Sequence, residues 1–294
     1  MASRVLIIFP GALGDLMLLA PTIAAIAKRH PAATIELMAR YELAQFAVGR
    51  LSVASAHSID SREVASLFHD DGLDDARSFF GQFDRIYSFF NSDDARFRAR
   101  LIAAAASGEV IFHPFRSESA EHVAAAYLKD AIGDAQVEPY TLTLAASDVS
   151  DASLLIHRLV GGEKFVAIFP GSGSAKKNWP IEKFLALAEA LKPQRAVFIL
   201  GPAEESLQAN GHLVIKDQPL GIVAAIASMA TLFAGNDSGV SHLAAATGVR
   251  GVVLFGPTHP RRWRPLGRVT VLHREPLASI EVSDVLAALE PEIV

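Results

Sequence analysis

The chain has 294 residues, of which 51% are hydrophobic and 20% are charged, and this length predicts two globular domains with sizeable cores. Its net charge of −5 argues against a general nucleic-acid-binding protein, which usually carries a basic surface, so we expect no nucleic-acid partner. The chain contains no cysteine, which excludes disulfide bonds, thiolate metal ligands and cysteine nucleophiles and suits a reducing cytoplasm.

The N-terminal stretch is apolar and shares that property with signal peptides. Pro10, Gly11, Gly14 and Asp15 interrupt it, and it lacks a basic segment followed by an unbroken apolar one. No run in the chain approaches the roughly 18 apolar residues that a membrane-spanning helix needs. We therefore expect a cytoplasmic protein that is soluble or at most peripheral to a membrane.

Short apolar runs alternate with helical patterns through the first half of the chain. Pro21 is expected at a helix start or at a kink, because proline has no N–H to donate inside a helix. The predicted strands are Val5–Phe9, Ile35–Met38, Ile86–Phe90 and Val110–Phe112, and the predicted helices are Pro21–Arg29, Asp93–Ser107 and Ala120–Ile132.

The alternation restarts after a polar stretch at Ala145–Asp151, which predicts domains at residues 1–150 and 151–294. Such alternation is typical of the α/β class, with parallel sheets covered by helices. The predicted strands of this half are Phe165–Phe169, Ala196–Leu200, His212–Ile215, Thr231–Ala234 and Val252–Phe255; the predicted helices are Ile181–Leu191, Ile222–Met229, Val240–Thr247 and Ile280–Leu289, the last a candidate to pack back on the first domain.

A glycine-rich turn follows the first predicted strand and contains Gly11, Gly14 and Asp15. It lacks the third glycine of the GxGxxG dinucleotide fingerprint, which argues against a nucleotide-linked dehydrogenase. Asp15 lies at or near a helix start, where a carboxylate commonly caps free N–H groups. The alternative is a general base at the floor of a cleft that Gly11 and Gly14 line.

The second half opens with a similar strand and turn, FPGSGSAKKNWP. The hydroxyls of Ser172 and Ser174 and the charge of Lys177 suit a phosphate group. The loop is not a Walker A motif, because no GK[ST] sequence closes it. The alternative is a solvated surface loop in which Trp179 serves as a packing anchor.

A third segment combines Asp237, Ser238, Gly239 and His242 at the end of one predicted strand and the start of a helix. The helix N-terminus offers N–H donors and a positive dipole to a pyrophosphate, and His242 lies within reach of the same ligand. For Asp237 the alternative is an Asx turn or a helix cap. The loop Phe255–Pro260 is expected to line the same pocket.

Glu204 and Glu205 follow another predicted strand, where a carboxylate can accept hydrogen bonds from ribose hydroxyls; a solvated pair is the alternative. The sequence contains no D-x-D triplet and no H-E-x-x-H motif, so we expect neither a metal site nor any other cofactor.

Three segments in this order together resemble the ADP-heptose:lipopolysaccharide heptosyltransferases of glycosyltransferase family 9. They are RVLIIFPGALGDLMLLAP, FPGSGSAKKNWPIEKFLALAEAL and GNDSGVSHLAAATGVRGVVLFGPTHPRRW, and they span nearly the whole chain. The resemblance implies a GT-B fold, in which two Rossmann-like domains face each other across a cleft and the second binds the donor. Residues Tyr41 to Tyr140 carry no segment that matches the family.

The resemblance also implies inverting, metal-independent transfer of heptose from ADP-heptose to an inner-core lipopolysaccharide acceptor. By the family pattern Asp15 is the general base, Lys177 holds the donor phosphates, and Glu204 or Glu205 contacts the ribose. The implied partners are a nucleotide-sugar donor and a lipid-linked saccharide acceptor at the inner face of the membrane. The alternatives are a glycosyltransferase of the same fold with another sugar nucleotide or acceptor, and a Rossmann-type nucleotide-binding protein without transferase activity. The remaining donor-binding residues implied by the family are Ser172, Ser174, Asp237, Ser238, Gly239 and His242.

Overall fold

The computed structural model describes residues 3–69, 71–116, 120–133, 136–138, 140–201, 204 and 211–289. The chain divides into two compact units, Met1–Glu138 and Pro139–Val294. The division falls before the polar stretch that was used to set the predicted boundary. That stretch belongs to a helix, Ala146–Val160, which packs on another helix of the second unit.

The first unit is built from strands that each lead into a helix. Its longest helix is buried on all sides from Asp15 to Ile23. Its three central strands are largely buried, whereas its two edge strands are partly exposed. Its strands are β1 (Ser3–Ile8), β2 (Ala33–Ala39), β3 (Ser55–Ser58), β4 (Arg85–Ser88) and β5 (Glu109–Phe112), and its helices are α1 (Leu13–Arg29), α2 (Tyr41–Ala47), α3 (Arg62–Ser66), α4 (Leu73–Phe80), α5 (Ala95–Ala104) and α6 (Val123–Ile132).

The second unit repeats this alternation. Short 3₁₀ turns at Ala175–Lys177 and Leu277–Ser279 interrupt its loops. Its strands are β6 (Phe165–Phe169), β7 (Arg195–Leu200), β8 (Leu213–Lys216), β9 (Leu232–Asn236), β10 (Gly251–Phe255) and β11 (Val269–His273), and its helices are α7 (Ala146–Val160), α8 (Ile181–Ala190), α9 (Leu220–Met229), α10 (Gly239–Ala246), α11 (Pro260–Trp263) and α12 (Val282–Leu289).

Both sheets are parallel and have the strand order of a Rossmann fold. The first runs β3-β2-β1-β4-β5 and the second runs β11-β10-β9-β6-β7-β8. Each sheet therefore starts in its middle, builds outward to one edge and then crosses back to the other side of its first strand. The α/β class and the two parallel sheets predicted from the alternation are confirmed.

Helix α1 begins at Leu13, well before the helix start predicted at Pro21. The proline lies inside the helix and is buried, as are all residues from Asp15 to Ile23. Because Leu16 and Ile23 are fully buried on either side of it, packing sustains the helix through a position that cannot donate a hydrogen bond.

Each unit has its own apolar core. Phe80, Phe83 and Phe97 pack with strand residues in the first unit, and Trp179 and Phe184 meet edge to face in the second. Helix α12, the last described helix, packs on α8 and β10 of its own unit. Among the described helices, none combines the length and hydropathy needed to cross a membrane.

Candidate active site

The candidate residues gather at the carboxyl edges of the two sheets, at the points where the strand order reverses. In the first unit this point lies between β1 and β4, and in the second it lies between β6 and β9. Open α/β sheets bind ligands at such points, because the loops on either side diverge there and leave a crevice. Asp15 follows β1, whereas Lys177 follows β6 and Asp237 follows β9.

Asp15 is the third residue of α1, is only 7% exposed, and its carboxylate caps the start of the helix. Its Oδ2 accepts a hydrogen bond from the backbone N–H of Ala12 at 3.0 Å, and the guanidinium Nη2 of Arg116 lies 3.5 Å from the same oxygen. A Cβ on Gly11 would lie 2.4 Å from the Phe9 ring and 2.6 Å from Cβ of Asp15. Any larger residue at position 11 would therefore displace the Asp15 side chain, whereas glycine does not. Gly14 is the residue before it in the helix.

The segment Gly171–Asn178 follows β6 and is mostly exposed. It is named the donor loop here after the role that was predicted for it. The hydroxyl of Ser172 lies 2.8 Å from the carbonyl oxygen of Ser174 and 2.6 Å from Oδ1 of Asn178, and it has one proton for the two acceptors. Directly after the loop, Trp179 is buried and its indole N–H donates to the carbonyl of Ile280 at 3.0 Å. The loop is therefore solvated, as the alternative interpretation has it, but its C-terminal end is anchored in the core.

Asp237 lies at the centre of a group that contains Lys177 and His242. Its Oδ2 accepts hydrogen bonds from Nζ of Lys177 at 2.7 Å and from the hydroxyl of Thr258 at 2.5 Å. Nε2 of His242 lies 3.9 Å from Oδ1, which is close enough for electrostatic attraction but long for a hydrogen bond. Burial by itself would raise the pKa of Asp237, but His242, Lys177 and Thr258 outweigh it and lower the pKa below its usual value.

The helix after Asp237 starts with a side-chain cap. Ser238 is the N-cap residue of α10 and accepts from the N–H of Ser241, while Gly239 is the first helical residue. His242 is 5% exposed, and its Nδ1 has no hydrogen-bond partner among the described residues. A buried ring nitrogen without a partner is unusual in folded proteins and fits a site that is completed by a ligand. Among the described residues, the side-chain cap of α10 is Ser238, and the carboxylate of Asp237 accepts from Lys177 and Thr258.

Glu204 packs over the start of the donor loop. Its Oε2 accepts a hydrogen bond from the N–H of Gly201 at 2.8 Å, and a Cβ on Gly171 would lie 2.0 Å from its Oε1. The carboxylate is therefore held between the ends of β6 and β7 rather than free in solvent. Glu205, the other candidate for the ribose, lies outside the described residues.

Sequence reasoning did not single out two residues that the structure brings to these sites. Arg116 has no motif around it and reaches Asp15 only through the fold. Asn236 stands beside Asp237 in the third segment, and its buried amide bonds to the backbone at both ends of the donor loop. Thr258 belongs to the loop that was predicted to line the pocket, and its contact with Asp237 agrees with that prediction. Among the described residues, no three potential metal ligands cluster together.

The comparison with protein families identifies the family of the chain. The family model described as "Glycosyltransferase family 9 (heptosyltransferase)" matches residues 123–284, which is more than half of the chain. The chain belongs to glycosyltransferase family 9. This family 9 member is therefore a glycosyltransferase of the heptosyltransferase family, with a nucleotide-sugar donor and a saccharide acceptor as the family implies.

Solved structures show the same fold over almost the full length of the family 9 chain. A glycosyl transferase family 9 protein from Veillonella parvula has 19% identity and a TM-score of 0.82, with 99% of this chain and 97% of that chain covered. The E. coli ADP-heptose lipopolysaccharide heptosyltransferase II has 19% identity and a TM-score of 0.74, covering 99% and 98%. The E. coli heptosyltransferase WaaC with ADP has 17% identity and a TM-score of 0.71, covering 98% and 99%. The prediction of a family 9 fold with two Rossmann-like units is confirmed. The comparison with curated proteins found no match.

Proposed function

We propose that this enzyme transfers heptose from ADP-heptose to an inner-core lipopolysaccharide acceptor, with inversion at the anomeric carbon and without a metal ion. The observation that carries the proposal is the buried carboxylate of Asp237, which accepts from Lys177 and Thr258 just before α10. It lies beside Nδ1 of His242, which has no partner among the described residues. The ammonium of Lys177, the hydroxyl of Thr258 and the N-terminus of α10 can each bind an oxygen of a diphosphate.

In the proposed complex the donor diphosphate competes with Asp237 for the ammonium of Lys177. The phosphates also accept hydrogen bonds from the first free N–H groups of α10, where the helix dipole favours negative charge. Glu204 accepts from the ribose hydroxyls. Because no metal takes part in this proposal, fixed protein groups stabilise the charge that develops on ADP, and removal of one such donor typically costs about 100-fold or more in rate.

The proposed transfer is a single displacement. The acceptor hydroxyl loses its proton to the carboxylate of Asp15 while its oxygen forms a bond to the anomeric carbon. The bond from that carbon to the diphosphate oxygen breaks, and its electron pair leaves with ADP. The N–H of Ala12 and the guanidinium of Arg116 orient the carboxylate before the reaction.

A screen of the purified protein with ADP, UDP, GDP and CDP tests the donor. We expect ADP alone to raise the melting temperature, because a ligand that binds only the folded state stabilises it, and the stabilisation grows with the logarithm of the ligand concentration divided by Kd. Transfer from ADP-heptose to an inner-core acceptor, followed by analysis of the anomeric configuration, tests the reaction. Stabilisation by UDP or GDP but not by ADP would contradict the heptose donor.

A second candidate is transfer of the sugar to a different acceptor, or transfer from another sugar nucleotide. The family model begins at residue 123, so most of the first unit lies outside the match, and that unit carries Asp15. A different acceptor is therefore compatible with the same family match, which covers the second unit. Product analysis with a set of lipid-linked and free saccharides distinguishes the two candidates.

A further inference from the structure

One buried amide holds both ends of the donor loop. The side chain of Asn236 has no exposed surface. Its Nδ2 donates to the carbonyl oxygen of Pro170 at 2.7 Å, and its Oδ1 accepts from the backbone N–H of Trp179 at 2.9 Å. The two bonded residues lie immediately before and after the loop, so this side chain closes the loop at its base.

Only an amide makes both bonds at neutral pH. A carboxylate accepts from the Trp179 N–H but places its second oxygen against the Pro170 carbonyl, where two acceptors repel each other. An apolar side chain leaves a buried N–H and a buried carbonyl without partners, which is costly. Asn236 is itself fixed, because the hydroxyl of Ser241 donates to its backbone carbonyl at 2.7 Å.

Among the described residues, the loop makes one further hydrogen bond to the same strand end. The proposed function requires this bond to break. Lys177 is bonded to Asp237, the residue after Asn236. When a diphosphate draws the ammonium away from Asp237, the loop loses this bond while it has to keep its place. Within the part of the chain that the structure describes, the bonds that remain between the loop base and that strand end are the two made by Asn236.

We propose that Asn236 is a positioning residue that holds the donor loop in place while Lys177 passes from Asp237 to the donor phosphates. The inference rests on the proposed donor site, but the closure of the loop can be tested apart from any nucleotide. Asn236 does not touch the reacting atoms, and its effect on transfer is exerted through Lys177.

Limited digestion with trypsin tests the closure directly, because Lys176 and Lys177 are cleavage sites inside the loop. We expect Asn236→Ala to be cut at these sites about tenfold faster than wild type, since a loop with a free base opens more often. Val253→Ala is the matched control, because Val253 is fully buried in the neighbouring strand β10 and has no polar contact to the loop. It should lower the melting temperature without selective cleavage of the loop. Equal rates at Lys176 and Lys177 in the two variants would overturn the proposal.

Asn236→Asp supplies a second test, because a merely structural role of Asn236 does not predict the pH dependence described below. When the new carboxyl is ionised it repels Pro170, but when protonated it donates to that carbonyl and accepts from Trp179 as the amide does. At about pH 8 the Kd of the variant for ADP should exceed that of wild type by about tenfold. At about pH 5.5 the two Kd values should become similar, because a buried carboxyl has a raised pKa and is protonated there. Lys177, Asp237 and His242 face this site in both proteins, so the variant is compared with wild type at each pH.

The two experiments separate the inference from the function it rests on. A wild-type protein that binds no ADP contradicts the proposed donor, whatever the loop does. Selective cleavage without any change of ADP affinity in Asn236→Ala overturns the link between loop closure and Lys177. A Kd ratio for Asn236→Asp that does not change with pH overturns the assignment of the two hydrogen bonds.

Discussion

At the scale of single residues, Asp15 combines a structural and a proposed chemical role. Its carboxylate caps α1 through the Ala12 N–H and lies beside Arg116. An amide at this position can still accept from the Ala12 N–H, but it cannot take a proton. The substitution Asp15→Asn therefore separates the two roles.

We expect Asp15→Asn to lower kcat by about 100-fold or more, because general-base catalysis contributes on the order of 100- to 10,000-fold. ADP affinity, measured by calorimetry, should stay within about twofold, since the proposed donor site belongs to the second unit. Asp94→Asn is the control: Asp94 caps α5 by accepting from Arg96 and Phe97, and asparagine caps equally well. Equal losses of binding and turnover in Asp15→Asn would assign this carboxylate to structure alone.

Lys177 and its neighbour Lys176 offer a comparison within one loop. Lys177 pairs with the buried carboxylate of Asp237, whereas Lys176 is exposed. We expect Lys177→Ala to weaken ADP binding by about tenfold or more and to lower the melting temperature, because it leaves a buried charge without its main partner. Lys176→Ala should change neither quantity. Similar effects of the two substitutions would mean that the loop contributes only general positive charge.

At the scale of elements, the sequence predicts the central strands of both sheets but misses an edge strand and a helix with few buried residues. Strands β1, β6 and β9 were predicted because their apolar runs are buried on both faces, which is typical of the middle of a parallel sheet. Strand β3, with the sequence SAHS, was missed, because an edge strand with half-buried residues needs no apolar pattern. Helix α7 was missed because only Ala152, Ile156 and Val160 form its buried stripe.

The same limit applies to the candidate site. The positions of Asp15 and Lys177 could be predicted, because each follows a strand in a recognisable glycine-rich turn. The contact of Arg116 with Asp15 spans about 100 residues of sequence and depends on the order of β1 and β5 in the sheet, which no local pattern contains. The pairing of Lys177 with Asp237 likewise depends on β6 and β9 being neighbours.

Gly171 and Gly173 test how the donor loop and the turn after β7 fit together. A Cβ on Gly171 would overlap the Glu204 carboxylate, whereas a Cβ on Gly173 meets nothing within 4 Å. We expect Gly171→Ala to displace Glu204 and weaken ADP binding by about tenfold, and Gly173→Ala to leave it unchanged.

The nucleotide itself supplies the second half of this test. If Glu204 accepts from ribose hydroxyls, 2′-deoxy-ADP and ADP should differ less in their affinity for Gly171→Ala than for wild type. Calorimetric titration of both nucleotides measures this coupling. An unchanged difference between the two nucleotides would contradict the ribose contact of Glu204.

At the scale of the whole molecule, acid is expected to destabilise the protein in two stages. Burial lowers the pKa of His113 to about 4, and burial with nearby Arg85 and Arg29 lowers the pKa of His30. The unfolded chain takes up these protons first, so stability falls as the pH drops from about 6.5 toward 4.

The pKa values of Glu36 and Asp237 are also lowered: burial opposes this, but Arg4 and His57 outweigh it at Glu36 and His242, Lys177 and Thr258 outweigh it at Asp237. Their contribution is complete above the carboxyl pKa values of the unfolded chain and is lost below about pH 4.

Urea unfolding of His113→Phe tests the first stage. The ring of His113 packs against Tyr87 and Phe89, so phenylalanine fits this apolar site without adding a titratable group. We expect the variant to retain on the order of 2 kcal/mol of the unfolding free energy that wild type loses between about pH 6.5 and 4. His157→Gln, at an exposed position on α7, should behave as wild type. Parallel pH curves for wild type and His113→Phe would contradict the lowered pKa of His113.

The closed base of the donor loop also makes its exposed tip a convenient place for a reporter. Because both ends are bonded to Asn236, a small change at Ala175 should leave the backbone path of the loop intact. The chain has no cysteine of its own, so Ala175→Cys would take up a thiol-reactive fluorophore at one position only. The emission of such a labelled protein would report each arrival and departure of a nucleotide in real time.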